Sequence, residues 1–561
     1  MTLTTPVCPA PATSLDFVGR LLHRQDRATA TRPALASHTG DGWVERTYAD
    51  LDTSSVRVAA WLEAAGVAAG DRVAILGPAG PQWVAALLGA WRAGAVAVPL
   101  DAALGPTELA PLVERSRPAA VVVGDGQRAL LAAAAPGDVA ALPFTAVDAL
   151  PGRPGPDVAR SGGEAALVVW TSGTSGRPKG VTLSFDNVAY VVDAGCAAHR
   201  LDGTERWLSV LPLNHTLELS CAVLPALATG ACVAFAPGRA AADVAAAMRD
   251  RRFTRMTAVP VLLTSLLRGV EAGARDGRLR AAAFRAAGVV AAAVPSRRVR
   301  CLLFAPVHRR LGGGHPSLQC GGAPLDPAVR RRLELLGVPV FGGYGLTETA
   351  PTVAMEAPGS RRAGSVGLPL PGTQVRIVDG EIQVRSPGVM LGYWQDPAAT
   401  TAAVGADGWF RTGDLGRLDA DGFLYVTGRA KSLVVLPTGK KVQPEEVEAA
   451  LEASDLLDEA CVVGWAPPTG PRAGTEQVCA VVVASAGLRA RCPAAGAVDE
   501  VAAAEVARCT AGLAAFKRPG VVRVVPGPLP RTPKRSVRRA DVVRLLESGA
   551  GSRPAEGPEP G

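Results

Sequence analysis

The chain is poor in aromatic residues and in paired cysteines, and these absences exclude several kinds of protein. Aromatic residues make up 4% of its 561 residues, and the ten cysteines are scattered singly without a CxxC pair or a short Cys/His spacing. This usage argues against a disulfide framework and a structural zinc site, and favours reduced thiols in a cytoplasm. No apolar run reaches the ~18 residues of a membrane span, and residues 1–14 lack the plan of a signal peptide. We therefore expect a soluble, cytoplasmic protein without a membrane span.

Two further absences narrow the function. No Gly-x-Ser-x-Gly segment surrounds Ser172 or Ser175, which makes a serine hydrolase a poor interpretation. The net charge is +8 and the isoelectric point about 9.1, a balance that suits nucleic acid, an anionic membrane or polyphosphate ligands. Because no RNA- or DNA-binding pattern accompanies the charge, anionic small molecules are the better fit and no nucleic-acid partner is expected.

The order of apolar patterns predicts an α/β protein. At 561 residues the chain is too long for a single core. Strand patterns at 72–76, 95–100 and 119–123 alternate with helix patterns at 48–66 and 81–94. Strands separated by helices of this length favour a parallel, doubly wound sheet with ligands at the strand ends.

The most informative segment is the stretch from Thr171 to Gly180, which follows an apolar run at 165–170 that predicts a buried strand. Four hydroxyl side chains, three glycines and one lysine within ten residues predict a loop that cradles phosphate. It is not a Walker A loop, because Lys179 follows Pro178 and precedes Gly180. An ordinary surface turn is the alternative. The residues expected to contact phosphate are Thr171, Ser172, Gly173, Thr174, Ser175, Gly176 and Lys179.

This stretch resembles the phosphate loop of the adenylate-forming (AMP-binding) superfamily, and further motifs follow in that superfamily's order from about residue 34 to about residue 541. The layout is most similar to the long-chain fatty acyl-CoA synthetases. The resemblance implies a large N-terminal domain of doubly wound sheets and a small α+β C-terminal lid. The implied divisions are a flexible tail (1–14), the N-terminal domain (15–430), the lid (431–545) and a disordered tail (546–561).

His215 lies in a Pro-Leu-x-His segment that resembles a motif of the same superfamily. There the matching histidine lies between the nucleotide and carboxylate pockets, and Glu218, three residues later, resembles the long-chain branch. A hydrogen-bonded core histidine is the alternative interpretation of His215.

Two glycine-containing turns and two later motifs are expected to bind the nucleotide. The resemblance assigns adenine stacking to Tyr344, a phosphate contact to Thr347 and a Mg²⁺ carboxylate to Glu348. It assigns the ribose hydroxyls to Asp414. The full set of expected nucleotide residues in these motifs is Gly321, Gly322, Ala323, Tyr344, Gly345, Thr347, Asp414 and Arg429.

In the C-terminal part, Lys431 falls at the superfamily's hinge position. Gly439 centres a predicted hairpin at 433–442, which the superfamily brings to its pantetheine tunnel.

The last motif departs from the superfamily's pattern. A lysine normally stands four residues past the motif's threonine, and counting from Thr532 this position is Ser536. Such a cation can account for roughly 10²–10³ in rate. The cations that could replace it are Lys534, Arg535 and Arg538. Rescue by one of them, slow adenylation and a role limited to the other half-reaction all stay open.

The resemblance implies ATP- and Mg²⁺-dependent activation of a carboxylic acid, fatty or otherwise hydrophobic, followed by transfer to CoA in fatty acid metabolism. The catalytic residues that it implies are Thr171, Lys179, His215, Glu348 and Lys534. Phosphopantetheine on an acyl carrier protein, or an amine, is the alternative acceptor. A catalytically impaired member that only binds nucleotide or acyl ligand is the alternative class, because of Ser536. The identity of the acid and the oligomeric state cannot be read from these residues.

Overall fold

Short apolar runs form the central strands, because these strands are covered on both faces. Every residue of Val96–Leu100 and of Ala120–Val123 is buried, as expected inside a parallel sheet.

The computed structural model describes residues 13–135, 139–171, 178–238, 240–275, 277–436, 441–452, 454–467, 476–492, 496–531, 537–548 and 555–556.

The chain divides into two compact units. The first comprises Met1–Val375, Val384–Phe410 and Gly422–Leu424, and the second Arg376–Gln383, Arg411–Asp421 and Tyr425–Gly561. The strands are β1 (Pro33–Thr39), β2 (Gly42–Thr47), β3 (Arg72–Leu76), β4 (Val96–Leu100), β5 (Ala120–Val123), β6 (Ala140–Pro143), β7 (Ala165–Thr171), β8 (Lys179–Ser184), β9 (Arg206–Ser209), β10 (Cys232–Phe235), β11 (Arg255–Ala258), β12 (Ser317–Cys320), β13 (Val340–Tyr344), β14 (Ala354–Met355), β15 (Leu368–Pro369), β16 (Gln374–Val378), β17 (Glu381–Arg385), β18 (Gly392–Tyr393), β19 (Phe410–Leu418), β20 (Leu424–Arg429), β21 (Val434–Val435), β22 (Lys441–Val442), β23 (Leu457–Trp465), β24 (Gln477–Ala484), β25 (Val521–Val524) and β26 (Ala555–Glu556). The helices are α1 (Ser14–Leu21), α2 (Arg27–Ala30), α3 (Tyr48–Ala64), α4 (Pro81–Arg92), α5 (Pro106–Ser116), α6 (Arg128–Ala134), α7 (Phe144–Val147), α8 (Phe185–His199), α9 (Thr216–Glu218), α10 (Leu224–Ala228), α11 (Ala241–Arg251), α12 (Pro260–Arg275), α13 (Arg278–Ala293), α14 (Arg297–Leu303), α15 (Ala305–Arg310), α16 (Pro327–Leu335), α17 (Pro397–Ala403), α18 (Pro444–Leu451), α19 (Ala486–Arg491), α20 (Ala497–Thr510) and α21 (Arg539–Glu547).

Two large sheets organise the first unit. The seven-stranded sheet has the order β18-β8-β7-β4-β3-β5-β6, and the nine-stranded sheet the order β15-β14-β13-β12-β11-β9-β10-β1-β2. Strand β3 pairs in parallel with β4 and β5, whereas β7 and β8 form an antiparallel pair. In the larger sheet β12 pairs in parallel with β11 and β13, whereas β13 pairs antiparallel with β14. The predicted doubly wound α/β architecture is therefore confirmed, with antiparallel strands added at the edges.

Local capping explains where the helices begin. The Thr47 side chain caps α3 in a reciprocal pair with Asp50, and α4 begins at Pro81, whose fixed φ suits the first helical position. Thr13 forms the same kind of pair with Asp16 at the start of α1. The helix thus begins at Ser14, inside the segment predicted to be a flexible tail.

The second unit has its own sheet and core. Strand β24 pairs antiparallel with β23 and in parallel with β25, and helices α18 and α20 pack against this sheet. These elements form the α+β arrangement implied for the lid, and β21 pairs with β22 as the predicted hairpin requires. Strand β26 pairs with β25 within the segment predicted to be disordered. This unit also takes most of the four-stranded sheet β16-β17-β19-β20, so it gathers residues that precede Lys431 in the chain.

The helices carry one further finding. Among the described residues, none forms a helix with both the length and the apolar character needed to cross a membrane.

Candidate active site

The strands on either side of the predicted phosphate loop, β7 and β8, pair as a β-hairpin. Thr171, the last residue of β7, lies directly opposite Lys179, the first residue of β8, and its hydroxyl donates to the Lys179 carbonyl at 3.3 Å. The connecting loop residues Ser172, Gly173, Thr174, Ser175 and Gly176 lie outside the described residues. The return strand β8 therefore fixes Lys179 at the base of the loop.

Lys179 lies against a tyrosine that the sequence motifs did not identify. Strand β18 pairs with β8, with Tyr393 opposite Val181. This pairing places the Tyr393 ring centroid 4.5 Å from Lys179 Nζ, a distance at which an ammonium group is attracted to an aromatic face. The one available signal was an aromatic pair, Tyr393-Trp394, after a glycine in a chain with few aromatic residues.

The same tyrosine reaches the carboxylate predicted to bind Mg²⁺. The Tyr393 hydroxyl donates to Glu348 Oε1 at 2.9 Å. Burial and the neighbouring Glu348 raise the pKa of Tyr393, so the hydroxyl stays protonated as a donor. This hydrogen bond is made to one of the two carboxylate oxygens of Glu348, Oε1. Carboxylate oxygens are hard ligands, which suit Mg²⁺. Lys179 and Glu348 are thus brought to opposite parts of one aromatic side chain.

The loop after β13 holds Glu348 by close backbone contacts. Thr347 is buried, and the Met390 amide donates to the Glu348 carbonyl at 2.9 Å. A Cβ atom on Gly345 would lie 1.8 Å from the Pro351 carbonyl oxygen, so only glycine fits at this position. Tyr344 ends β13, and its carbonyl accepts from the Val353 amide at 2.8 Å.

The Gly-Gly turn after β12 faces apolar side chains. Gly322 has a φ of 82°, and a Cβ atom on Gly321 would lie 3.0 Å from Leu217 Cδ1. A Cβ atom on Gly322 would lie 3.8 Å from Val259 Cγ1. Ala323 is exposed. The turn therefore offers bare backbone beside an apolar wall.

Leu217 of this wall belongs to the segment that contains His215. His215 is half-buried, and its amide donates to the Pro212 carbonyl at 3.2 Å. Glu218 is fully buried and accepts a hydrogen bond from the Val210 amide at 3.1 Å. Burial raises the pKa of Glu218 to about 8, so this carboxyl is neutral at pH 7.

The second unit holds the predicted ribose residues. Asp414 is buried, and its Oδ1 lies 2.9 Å from Nε of Arg429, whose side chain is largely exposed. The Asp414 amide donates to the Thr412 hydroxyl at 3.0 Å. Lys431 lies in a 3₁₀ turn, Ala430–Ser432. The positions Gly439, Lys534 and Ser536 lie outside the described residues.

The chain matches two models of one enzyme family and resembles named relatives. The model of the AMP-binding enzyme matches residues 22–394, and the model of its C-terminal domain matches residues 431–549. A feruloyl-CoA synthase of Amycolatopsis sp. is 32% identical over 465 residues, covering 80% of this chain and 85% of that protein. A long-chain-fatty-acid–CoA ligase of Mycobacterium bovis is 31% identical over 461 residues, covering 76% of each chain. The ATP-bound crystal structure of MatB from Rhodopseudomonas palustris superposes with a TM-score of 0.78 at 27% identity, covering 96% of this chain and 99% of that one.

Proposed function

Because the chain belongs to the AMP-binding enzyme family, we propose that it activates a hydrophobic carboxylic acid with ATP and transfers the acyl group to CoA. The superfamily predicted from the sequence is confirmed by the family match over residues 22–394. The predicted class, an AMP-forming acid–thiol ligase, is confirmed at that level by the same match and by relatives that are CoA ligases. The acid, the acceptor and the residue roles are the substance of the proposal.

The observation that carries the proposal is the contact of Lys179 and Glu348 with one tyrosine. In the proposed reaction, a substrate carboxylate attacks the α-phosphorus of ATP and displaces pyrophosphate, and a thiol then displaces AMP. Lys179 supplies a cation at the base of the phosphate loop, and the Tyr393 hydroxyl hydrogen-bonds to Glu348, the carboxylate that would hold Mg²⁺. Mg²⁺, when bound, would neutralise charge on the phosphate oxygens. Positioning and charge neutralisation then supply most of the acceleration.

An apolar wall supports a hydrophobic acid as substrate. Leu217 and Val259 lie beside the Gly321–Gly322 turn. Glu218, being neutral at pH 7, adds no fixed charge there. One relative is named a feruloyl-CoA synthase and another a long-chain-fatty-acid–CoA ligase.

A substrate panel tests this class directly. Pyrophosphate release would be measured with long-chain fatty acids, hydroxycinnamic acids and short dicarboxylic acids, and the acyl-CoA product identified by mass spectrometry. We expect kcat/KM to be at least about tenfold higher for a hydrophobic monocarboxylate, since each methylene in an apolar pocket contributes about 10-fold or more. A best substrate among the short dicarboxylic acids would contradict the proposal.

The acceptor and the catalytic competence need separate measurements. Competition between CoA and a pantetheinylated carrier protein, each with the acyl-adenylate, would show which thiol is used. The serine at position 536 favours a second candidate, a member that binds nucleotide without turnover. Single-turnover AMP formation compared with ATP binding by calorimetry distinguishes the two. Binding without AMP formation on any acid of the panel would support that second candidate.

A further inference from the structure

A thiol and two imidazoles come together in the segment that leads from α14 to β12. One ligand atom from each of Cys301, His308 and His315 lies within 4.8 Å of those of the other two. Within the described ranges, no other trio of Cys, His, Asp or Glu side chains meets this closely. Zinc–sulfur and zinc–nitrogen bonds of about 2.3 and 2.0 Å imply ligand separations of roughly 3.5 Å. Separations of up to 4.8 Å would therefore have to shorten for the three side chains to share one ion.

His308 has an unused ligand atom in its buried ring. Its side chain is 2% exposed, and Nε2 lies 2.8 Å from the Leu336 carbonyl oxygen. Because a carbonyl only accepts, Nε2 carries the proton and Nδ1 carries a lone pair. Nδ1 is buried without a hydrogen-bond partner in the described structure. Histidines that bind metals usually donate their other N–H to a carbonyl or carboxylate in this way.

The Cys301 side chain contacts a backbone carbonyl, and the His315 side chain contacts the His308 ring. The Cys301 thiol is buried and lies 3.7 Å from the Gly337 carbonyl. The His315 ring centroid lies 4.8 Å from that of His308. Arg297 donates to the His315 carbonyl at 2.6 Å, and His315 itself has a φ of 50°. His315 is exposed, so a water molecule has access to a fourth coordination position.

Within 277–310 the sequence contains no acidic residue, so no competing carboxylate from this segment reaches the site.

We propose that Cys301, His308 and His315 bind one Zn²⁺ ion, with water as the fourth ligand. On binding, the Cys301 thiol releases its proton to solvent as the zinc–sulfur bond forms, and no electron is transferred. The ion would tie α14, α15 and the turn before β12 together, and it shares no residue with the candidate active site. The seven-residue spacings exceed those of common zinc motifs, which is why the sequence alone argued against such a site.

Metal binding to the full chain tests the proposal. The protein is stripped with a chelator, and Zn²⁺ is titrated in competition with a chromophoric chelator. We expect one tight site per chain, and a thiolate-to-cobalt charge-transfer band when Co²⁺ replaces Zn²⁺. Cys301→Ser should abolish the band and weaken Zn²⁺ binding at least about tenfold, because losing even an outer-shell partner costs that much.

A second variant avoids the risk of misfolding. His315→Asn changes an exposed side chain, and asparagine tolerates the positive φ at this position. It should also weaken Zn²⁺ binding at least about tenfold. Cys492→Ser and His38→Asn, at a half-buried thiol and an exposed histidine outside the trio, should leave Zn²⁺ affinity unchanged. Equal Zn²⁺ affinity in the wild type and both ligand variants, or no stoichiometric binding to the wild type, would overturn the proposal.

Discussion

At the scale of single residues, Tyr393 makes two contacts that the sequence motifs did not predict. Its ring lies under the Lys179 ammonium and its hydroxyl donates to Glu348. A hydroxyl in this position restricts the rotamers of the carboxylate. The contact depends on the pairing of two strands that are distant in sequence, so it becomes visible only in the folded chain.

We predict that Tyr393→Phe lowers acid-dependent ATP–pyrophosphate exchange by about 10- to 100-fold and raises the Mg²⁺ concentration required for half-maximal exchange. The ring under Lys179 is kept, so the loss reports on the hydroxyl alone. Tyr190→Phe is the matched control, because the Tyr190 hydroxyl donates to the Pro371 carbonyl at 2.7 Å. Each variant should lose about 0.5–1.5 kcal/mol of stability. Equal exchange in the two variants would argue against an orienting role for Tyr393.

Glu218 gives a prediction about pH. Burial raises its pKa from 4.5 to about 8 in the folded chain, so between these values the folded state holds a proton that the unfolded state releases. The free energy of unfolding therefore falls as pH rises through this window. Glu218→Gln keeps the acceptor for the Val210 amide and removes this dependence. From pH 5 to 8.5 we expect the variant to gain on the order of 3 kcal/mol relative to the wild type in urea unfolding.

A control for the pH experiment lies on the surface. Glu63→Gln changes an exposed carboxylate on α3, and its unfolding should follow the pH dependence of the wild type. Parallel curves for the wild type and Glu218→Gln would show that Glu218 is ionised in the folded protein.

At the scale of elements, the loop after β13 is fixed by close backbone contact. Gly345→Ala would place a Cβ atom 1.8 Å from the Pro351 carbonyl oxygen, which forces the segment that carries Thr347 and Glu348 to move. We expect Gly345→Ala to lower the free energy of unfolding by about 1–3 kcal/mol. The variant should also lose most of its ATP–pyrophosphate exchange activity. Gly343→Ala, two residues earlier on β13, is the control, since its Cβ atom would make ordinary contacts with the Ala354 carbonyl oxygen at 3.5 Å and Met355 Cβ at 3.8 Å. Equal stability and exchange in the two alanine variants would refute this account of the loop.

Elements with strong periodicity could be predicted from the sequence, and contacts between elements could not. The apolar run at 165–170 became β7, and the pattern at 48–66 became α3, because burial decides both. Strand β8 was not predicted, since its residues follow a glycine-rich loop that gives no strand signal. The trio Cys301, His308 and His315 meets through a helix–helix–turn arrangement that spacing rules do not cover.

At the scale of the whole molecule, the chain separates into a large unit with Lys179 and Glu348 and a smaller one with Asp414 and Arg429. Motif order identified the family, because glycine-rich turns and their polar residues are local features of the sequence. The departure at Ser536 is equally local, yet its consequence depends on whether a neighbouring cation takes the place of the lysine in the folded chain.

The central claim is that Lys179 and Glu348 act on one bound nucleotide. The most direct measurement is acid-dependent ATP–pyrophosphate exchange by Glu348→Gln, with exposed Glu164→Gln as the control. Loss of a carboxylate that holds the metal should abolish exchange in Glu348→Gln and leave it intact in Glu164→Gln. Exchange at the wild-type rate in Glu348→Gln would contradict the claim.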